Sequence, residues 1–492
     1  MHSIRPRVLF QSLKGLSRNS TALPDRIQSP LRIATTNTTT RLTHQSARSI
    51  ASASPERAFQ ERVQEISQVS SDPYPRLVTD ARTVSCGEFR TRYGQLGNNE
   101  SVEEPVVVSA VTGKPHRTGR GELTVDATEL PTLLAPCLHD IPLRDSSHET
   151  SPYPRHVQFL ANPSVAQIIR ARSSLTQYLR QFFVDRSFME VNTPIIGAEA
   201  GGAIARPFST SATEFPDREL SLRIAPELWL KRLVVGGDST RSLRLALLFA
   251  MKFTTCEFYQ AYANLEDLMR TTEDLLSGMA SHIQALNEDG TLNPTTASFA
   301  TPFRRIDFIG GIEERIQRKL PDLTSPSALD EIRTLFHDLS LPLPENATLP
   351  RLLDELCSIY VEPDCIDPTF IINPPECLSP LSKSFTHPVT KQIVAARGEL
   401  FIEGKEIVNT YEEENSPFEQ RRKFEDQLRF GKAVGEPGEV DENYLEALEW
   451  GLPSTGGWGC GIDRLAMLFT GAKRIADVLP FGTLRAVSRR TE

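Results

Sequence analysis

Cysteine is sparse in this sequence and never clustered. Its seven cysteines stand singly, with no Cys-x-x-Cys pair and no histidine at ligand spacing beside one, which excludes the usual zinc frameworks. An odd, dispersed set of thiols also fits a reducing compartment better than a disulfide-built secreted domain. No apolar run approaches the roughly 20 residues needed to span a bilayer as a helix. A basic excess is missing too: the formal net charge is -9, so any contact with nucleic acid must come from a local basic surface. The remaining composition, 39% hydrophobic and 24% charged over 492 residues, is ordinary for a globular chain of two or three domains.

Acid is what residues 1–54 lack. They hold Arg5, Arg7, Lys14, Arg18, Arg26, Arg32, Arg41 and Arg48 against Asp25 alone, a net +7 that leaves -16 on the remainder. Ile4, Val8, Leu9 and Leu13 among the bases suit a short amphipathic helix. An Arg-rich, Ser-rich, acid-poor start is the profile of a mitochondrial transit peptide, which places the mature protein in the matrix. A disordered basic arm touching RNA is the alternative. Residues 55–71 are expected to open the mature chain as a helix.

Glycine is concentrated near the C-terminus. Gly456, Gly457, Gly459 and Gly461 fall within Gly456-Gly457-Trp458-Gly459-Cys460-Gly461, where bare backbone permits close approach of a ligand. Ile462, Leu465, Ala466, Leu468 and Phe469 then recur at helical spacing, with Asp463 and Arg464 in the first turn. A guanidinium beside bare backbone points to a planar or anionic ligand; a glycine-kinked strand on a core helix is the plainer reading.

Acids gather in Glu399-Leu400-Phe401-Ile402-Glu403-Gly404-Lys405-Glu406-Ile407-Val408-Asn409-Thr410-Tyr411-Glu412-Glu413, which reads as two strands joined at Gly404-Lys405. That turn puts Glu399 and Glu406 on one face, while Asn409, Tyr411 and Glu413 share one side at period two. Clustered carboxylates call for a cation, either Mg²⁺ with a nucleotide phosphate or a cationic substrate, unless the hairpin is merely an acidic solvated face.

Together these stretches resemble the class II aminoacyl-tRNA synthetases. The glycine segment is similar to their motif 3, and the strand pair is similar to the lysine-specific version. Phe188-Met189-Glu190-Val191-Asn192-Thr193-Pro194, Arg223-Ile224-Ala225-Pro226-Glu227-Leu228-Trp229-Leu230-Lys231 and Cys256-Glu257-Phe258-Tyr259-Gln260-Ala261-Tyr262 agree in order. The resemblance implies an α+β fold: a class II antiparallel sheet flanked by helices over residues 153–492, with a helical insertion at about 303–368. It also implies a truncated OB-like anticodon-binding β domain over residues 72–142. The implied reaction is ATP-dependent ligation of L-lysine to tRNA(Lys), with ATP and Mg²⁺, in a homodimer touching at Pro194. Glu399 and Glu406 would hold the metal. ATP would meet Phe253, Glu399, Glu406, Gly461 and Arg464. The lysine would meet Gly202, Glu227, Glu257, Tyr259, Asn409, Tyr411, Glu413, Gly457 and Gly459, and Arg464, Glu399 and Glu406 carry the catalytic role.

Two departures qualify this. The strands expected around Ser109-Ala110 are too few for a closed five-stranded barrel, and few aromatics remain there to stack on bases. The stretch from Gly237 to Phe253 lacks the Arg-x-Glu of motif 2, so the arginine for the α-phosphate is unassigned; Arg241 and Arg244 stand nearest. Internal segments missing from this chain would account for both, as would a synthetase-like protein that binds lysine without activating it. An adenylating ligase acting on a protein lysine is a third reading, disfavoured by the OB-like remnant.

Overall fold

A computed structural model of the chain describes residues 33–34, 55–76, 83–108, 111–129, 134–142, 153–197, 208–223, 225–236, 244–248, 254–287, 290–433 and 440–481. The chain divides into two units, Met1–Pro163 and Ser164–Glu492. The fold is α+β.

In the first unit, helix α1 (Pro55–Val69) begins at a proline, whose fixed φ suits a first helical turn. Its Arg62 Nε donates to the Cys137 carbonyl at 2.9 Å. Helix α2 (Cys86–Tyr93) starts from a capping box in which the Glu88 N–H donates to Ser85 Oγ and the Ser85 N–H to Glu88 Oε2. Its buried Phe89 packs with Val84, Val106, Val108, Val111 and Val125. Those valines lie on a sheet of β1 (Ile33–Ala34), β2 (Thr83–Val84), β3 (Val106–Val108), β4 (Val111–Arg117) and β5 (Leu123–Ala127), in the order β1-β5-β4-β3-β2. β1 and β2, two residues each, occupy opposite edges. Ile33 and Ala34, assigned from sequence to the leader, run parallel to Val125 and Asp126.

The second unit is organised by an eight-stranded sheet. Its strands are β6 (Met189–Glu190), β10 (Arg244–Leu248), β11 (Thr255–Ala261), β12 (Arg304–Asp307), β13 (Thr369–Ile372), β16 (Arg397–Ile402), β17 (Lys405–Glu412) and β18 (Thr455–Gly461). Short side sheets are made by β7 (Ile196–Gly197), β8 (Ser209–Ala212) and β9 (Phe215–Leu222), and by β14 (Ser384–Thr386) with β15 (Ile393–Ala395). The main order is β12-β13-β16-β17-β18-β11-β10-β6, antiparallel except for the outermost pair at each edge.

Period two divides the faces of this sheet. Phe258 and Trp458 stack with centroids 5.1 Å apart, and Trp458 Nε1 donates to Thr272 Oγ1 at 2.9 Å. That face packs on helices α4 (Pro163–Asp185) and α6 (Leu265–Leu286), through Leu175, Leu179 and Phe183 of the first and Leu268, Leu275 and Met279 of the second. The shorter helix α3 (Arg155–Ala161) precedes α4 in the chain. The opposite face carries the acids and the bare glycines. Helix α5 (Glu227–Val235) presents Leu228, Leu230 and Val234 to Tyr259, Ala261 and the residues Tyr444, Leu445 and Leu448 of a later helix.

One expectation is corrected here. The hairpin turns at Glu403 and Gly404, not at Gly404-Lys405; φ is 53° and 67° at these two residues, as a two-residue turn between twisted strands requires. Within the insertion, β12 extends the sheet edge before α7 (Phe308–Ile316), α8 (Ala328–Asp338) and α9 (Leu349–Tyr360) close a core of their own around Ile312, Phe336 and Leu352. Helix α10 (Pro417–Ala433) follows β17 in the chain. Its Lys423 is buried and donates to the Ser382 carbonyl at 2.5 Å and to Glu414 Oε2 at 2.8 Å. The stretch lacking Arg-x-Glu supplies β10, which pairs antiparallel with β11.

Candidate functional site

Strand register assembles the site. Glu399 of β16 stands opposite Asn409 of β17, Asn409 opposite Gly459 of β18, and Gly459 opposite Glu257 of β11. The neighbouring row is Arg397, Tyr411, Gly457 and Tyr259. Residues directly opposed across paired strands share a face, so two rows spanning four strands bring polar groups from distant parts of the chain together.

Glycine in the middle strand is a steric requirement at one place and a looser one at others. A Cβ on Gly457 would overlap Glu413 Oε1 and come 2.9 Å from Tyr259 Cε1. On Gly459 it would meet nothing nearer than Glu257 Cγ at 3.7 Å, and on Gly461 nothing nearer than the Arg464 side chain at 3.8 Å.

Glu413, just past β17, is fully buried, and its backbone N–H donates to the Thr455 carbonyl at 2.8 Å. Its Oε2 lies 2.5 Å from Lys231 Nζ as an ion pair, and neither of its oxygens has a well-aligned hydrogen-bond donor among the described residues. Lys231 Nζ also donates to Glu227 Oε1 at 2.7 Å, one turn back on α5, and Glu227 Oε1 accepts the Tyr411 hydroxyl as well. Burial works against the Lys231 ammonium, but Glu227 and Glu413 more than offset it and hold its pKa well above the usual lysine range. Glu257 accepts the Tyr259 hydroxyl at 3.4 Å. Burial and then the Glu227 charge push the Glu257 carboxyl up to about 8, against the opposing pull of Tyr259, Lys231 and Arg223.

The other end of the rows gathers Glu399 and Glu406 with Arg397 and Arg464. A bulge between Leu400 and Phe401 places Phe401 opposite Glu406, so β17 carries one extra residue between Glu406 and Val408. Ile407 and Val408 are both buried in the core, and Glu406 is turned back toward Glu399. Burial raises the Glu399 pKa, Arg397 lowers it, and the charges of Glu406 and Asp354 raise it further. Arg397 Nη2 donates to Glu399, and its Nε donates to Asn409 Oδ1 at 2.9 Å. Arg464, half exposed at the start of α12 (Ile462–Thr470), donates from Nη1 to the Glu406 carbonyl at 2.7 Å and to Glu406 Oε2 at 3.2 Å. Asp463 beside it is buried, accepting from Arg172 Nη2 at 2.6 Å and from the Thr254 N–H at 2.9 Å. Among the described residues no three His, Cys, Asp or Glu converge as a complete protein-only metal site. Two carboxylates with like-charge strain fit Mg²⁺, which keeps several waters and takes one or two carboxylates plus substrate phosphates.

Gly202, Phe253 and Arg241 lie outside the described residues, and only the backbone of Arg244 is described. Pro194 is exposed on the surface, beside exposed Ile195 and Ile196, and its carbonyl accepts from Arg223 Nη1 at 3.2 Å. The sequence reading missed Lys231, Arg397 and Tyr444. The first two left a signal: Glu227 and Lys231 are four apart on a helix, and Arg397 alternates with Glu399 on a strand. Tyr444 belongs to α11 (Glu442–Glu449), and nothing local ties that helix to the acids.

A family model of class II tRNA synthetases (D, K and N) matches residues 147–485. The chain is 40% identical over 403 residues to the lysine–tRNA ligase cla4 of Cladosporium cladosporioides, covering 77% of this chain and 67% of that one. It is 38% identical over 417 residues to the mitochondrial lysine–tRNA ligase of Schizosaccharomyces pombe, covering 82% and 76%. It is 36% identical over 391 residues to the lysine–tRNA ligase of Deinococcus radiodurans, covering 77% and 73%.

Proposed function

The chain belongs to the class II tRNA synthetases of the D, K and N group, and from that premise we propose that it ligates L-lysine to tRNA(Lys) through a lysyl-adenylate. The observation that carries this is the convergence of Glu257, Tyr259, Tyr411 and Glu413 around a bare strand, with a buried Glu413 oxygen left without a donor. Such a pocket suits an ammonium: a neutral side chain of the same shape would leave buried acids unpaired and be rejected. The asparagine and aspartate substrates of neighbouring synthetases bring no such cation.

In this reading the substrate's side-chain ammonium lies against Glu257, Tyr259 and Glu413, and its α-ammonium against Glu227 and Gly202. Asn409, oriented by Arg397, aligns the lysine carboxylate, which attacks the α-phosphorus of ATP and expels pyrophosphate. Phe253 and Arg464 hold the nucleotide base and phosphates, with Gly461 leaving space beside Arg464. Glu399 and Glu406 would hold Mg²⁺, which supplies charge neutralisation at the phosphates. The terminal ribose hydroxyl of the tRNA then attacks the adenylate carbonyl. Rate acceleration comes from positioning and preorganised charge, without a covalent enzyme intermediate.

A homodimer through the exposed surface at Pro194 and an anticodon-binding role for the N-terminal sheet complete the reading. A mitochondrial matrix location is supported by the basic, acid-poor residues 1–54 and by the similarity to a mitochondrial ligase.

Lysine-dependent exchange of pyrophosphate into ATP is the test, with loss expected in Glu257→Gln. Equal exchange with asparagine or aspartate rejects the specificity. The absent Arg-x-Glu favours a second reading, a lysine-binding protein that does not activate its ligand. Calorimetric lysine binding without any exchange selects that one.

A further inference from the structure

We infer that Lys231 is the standing counter-ion of the amine pocket, a positioning residue whose built-in ammonium limits the site to the two ammonium groups of one free lysine. The inference rests on the lysine reading above.

Three carboxylates, Glu227, Glu257 and Glu413, face the pocket, and Lys231 sits within ion-pair distance of the first and third. With all three ionised, the state that a bound ammonium favours, their charge of -3 is thereby cut to -2, which the α- and side-chain ammonium groups of lysine neutralise. Lys231 is wholly enclosed. Its own helix presents Glu227, the chain past β17 presents Glu413, and the Tyr411 and Tyr444 rings lie with centroids 5.6 and 5.7 Å from Nζ. Glu257 and Tyr259 of β11 and Arg223 ahead of α5 complete the titratable surroundings.

Carboxylates buried without compensation take up protons, and a protonated Glu413 has little attraction for an ammonium. Burial holds the Glu413 pKa well above the usual carboxylate range, and Lys231 is the foremost influence opposing that rise before substrate arrives. It pairs by charge with Oε2 of Glu413, while Oε1 lies on the Gly457 side, so one carboxylate serves a permanent ammonium and a transient one. Because Lys231 is carried on a helix and has no exposed surface, it forms part of the wall and is not a competitor that substrate must expel.

The test is calorimetric lysine titration of the full chain in two buffers of different ionisation enthalpy, which yields affinity and protons released together. Lys231→Met should bind lysine roughly thirtyfold or more weakly at pH 7 and release more protons per lysine than the parent chain. Lys231→Arg, which keeps the charge, should keep the parent's proton count. In Lys231→Ala, methylammonium should restore lysine binding where methanol does not. If Lys231→Met does not fold, recovery of folded Lys231→Ala by methylammonium but not methanol supports the inference, and equal or no recovery overturns it. A Lys231→Met protein with the parent's affinity and proton count overturns the inference while leaving the lysine reading intact. Absence of lysine binding by the parent chain overturns both.

Discussion

Gly457 and Glu413 share one space: the carboxylate of Glu413 lies where the side chain of any other residue at position 457 would begin. The pairing ties the glycine segment to the acid pocket by steric exclusion, and it separates Gly457 from its neighbour Gly459. Gly457→Ala should displace Glu413 toward Lys231, cost about 1–3 kcal/mol in stability and abolish measurable lysine binding. Gly459→Ala meets only ordinary contacts and should leave the melting temperature nearly unchanged. Thermal melts of the two variants, with lysine calorimetry on the first, check this; equal melting temperatures would sink it.

With lysine bound against Glu257 as proposed, the elevated pKa of this carboxyl would make binding a proton-linked event. Below about 8 the free carboxyl is largely protonated, and an arriving ammonium favours its ionised form. Lysine affinity should therefore rise with pH and level off above 8, with proton release on the rising limb. Stability runs the other way. The folded state binds the extra proton between the unfolded value near 4.5 and about 8, so this group's contribution to stability falls as pH rises through that window. Glu257→Gln should flatten both dependences and melt higher than the parent chain at pH 8.5. A variant with the parent's pH profile would contradict the assignment.

Arg397 holds four groups at once: Glu399, Asn409, the Leu378 carbonyl and the Ser379 hydroxyl. Arg397→Lys keeps a positive charge but loses the planar fork. Pyrophosphate exchange should fall roughly 10²-fold, a loss of the order seen when a preorganised donor is removed. Lysine binding without ATP should weaken far less. Equal losses in both assays would show that Arg397 serves only the fold.

Glu406 pairs with Arg464 and faces Glu399. Glu406→Gln should shift the Mg²⁺ concentration for half-maximal exchange upward by about tenfold or more, since one of two hard-oxygen ligands loses its charge. Lysine affinity measured without nucleotide should stay within about twofold. An unchanged Mg²⁺ titration would remove Glu406 from the metal assignment.

Asp463 is held by Arg172 and by the Thr254 N–H in a buried corner where β18 becomes α12. Asp463→Ala leaves the mostly buried Arg172 guanidinium without its countercharge, with only Thr254 Oγ1 to accept from it, and should cost about 3–5 kcal/mol. Denaturant unfolding measures it; a loss below 1 kcal/mol would show that solvent reaches the pair.

Much of this was written locally. Period two in residues 456–461 and in 409, 411 and 413 assigned the right groups to one face of each strand. The apolar spacing of Ile462, Leu465, Ala466, Leu468 and Phe469 marked the helix that follows the glycine segment. These patterns are legible because a strand or helix repeats its geometry along the chain, so the side chains themselves record which face is buried.

The rest belongs to pairings that no local pattern encodes. Strict alternation puts Glu406 on the face opposite Asn409, Tyr411 and Glu413, and only the bulge at Ile407 turns it back to join them. This one-residue shift in strand pairing is decided by how Ile407 and Val408 fill the core beneath, not by their neighbours in sequence. Likewise the sequence named Glu413 as an ammonium acceptor, but the ammonium already beside it comes from a helix far upstream. That contact exists because α5 packs across β11 and α11, bringing a buried base within ion-pair reach of a buried acid. Alternation is a property of the chain; register, and the partners it brings together, are properties of the packed sheet.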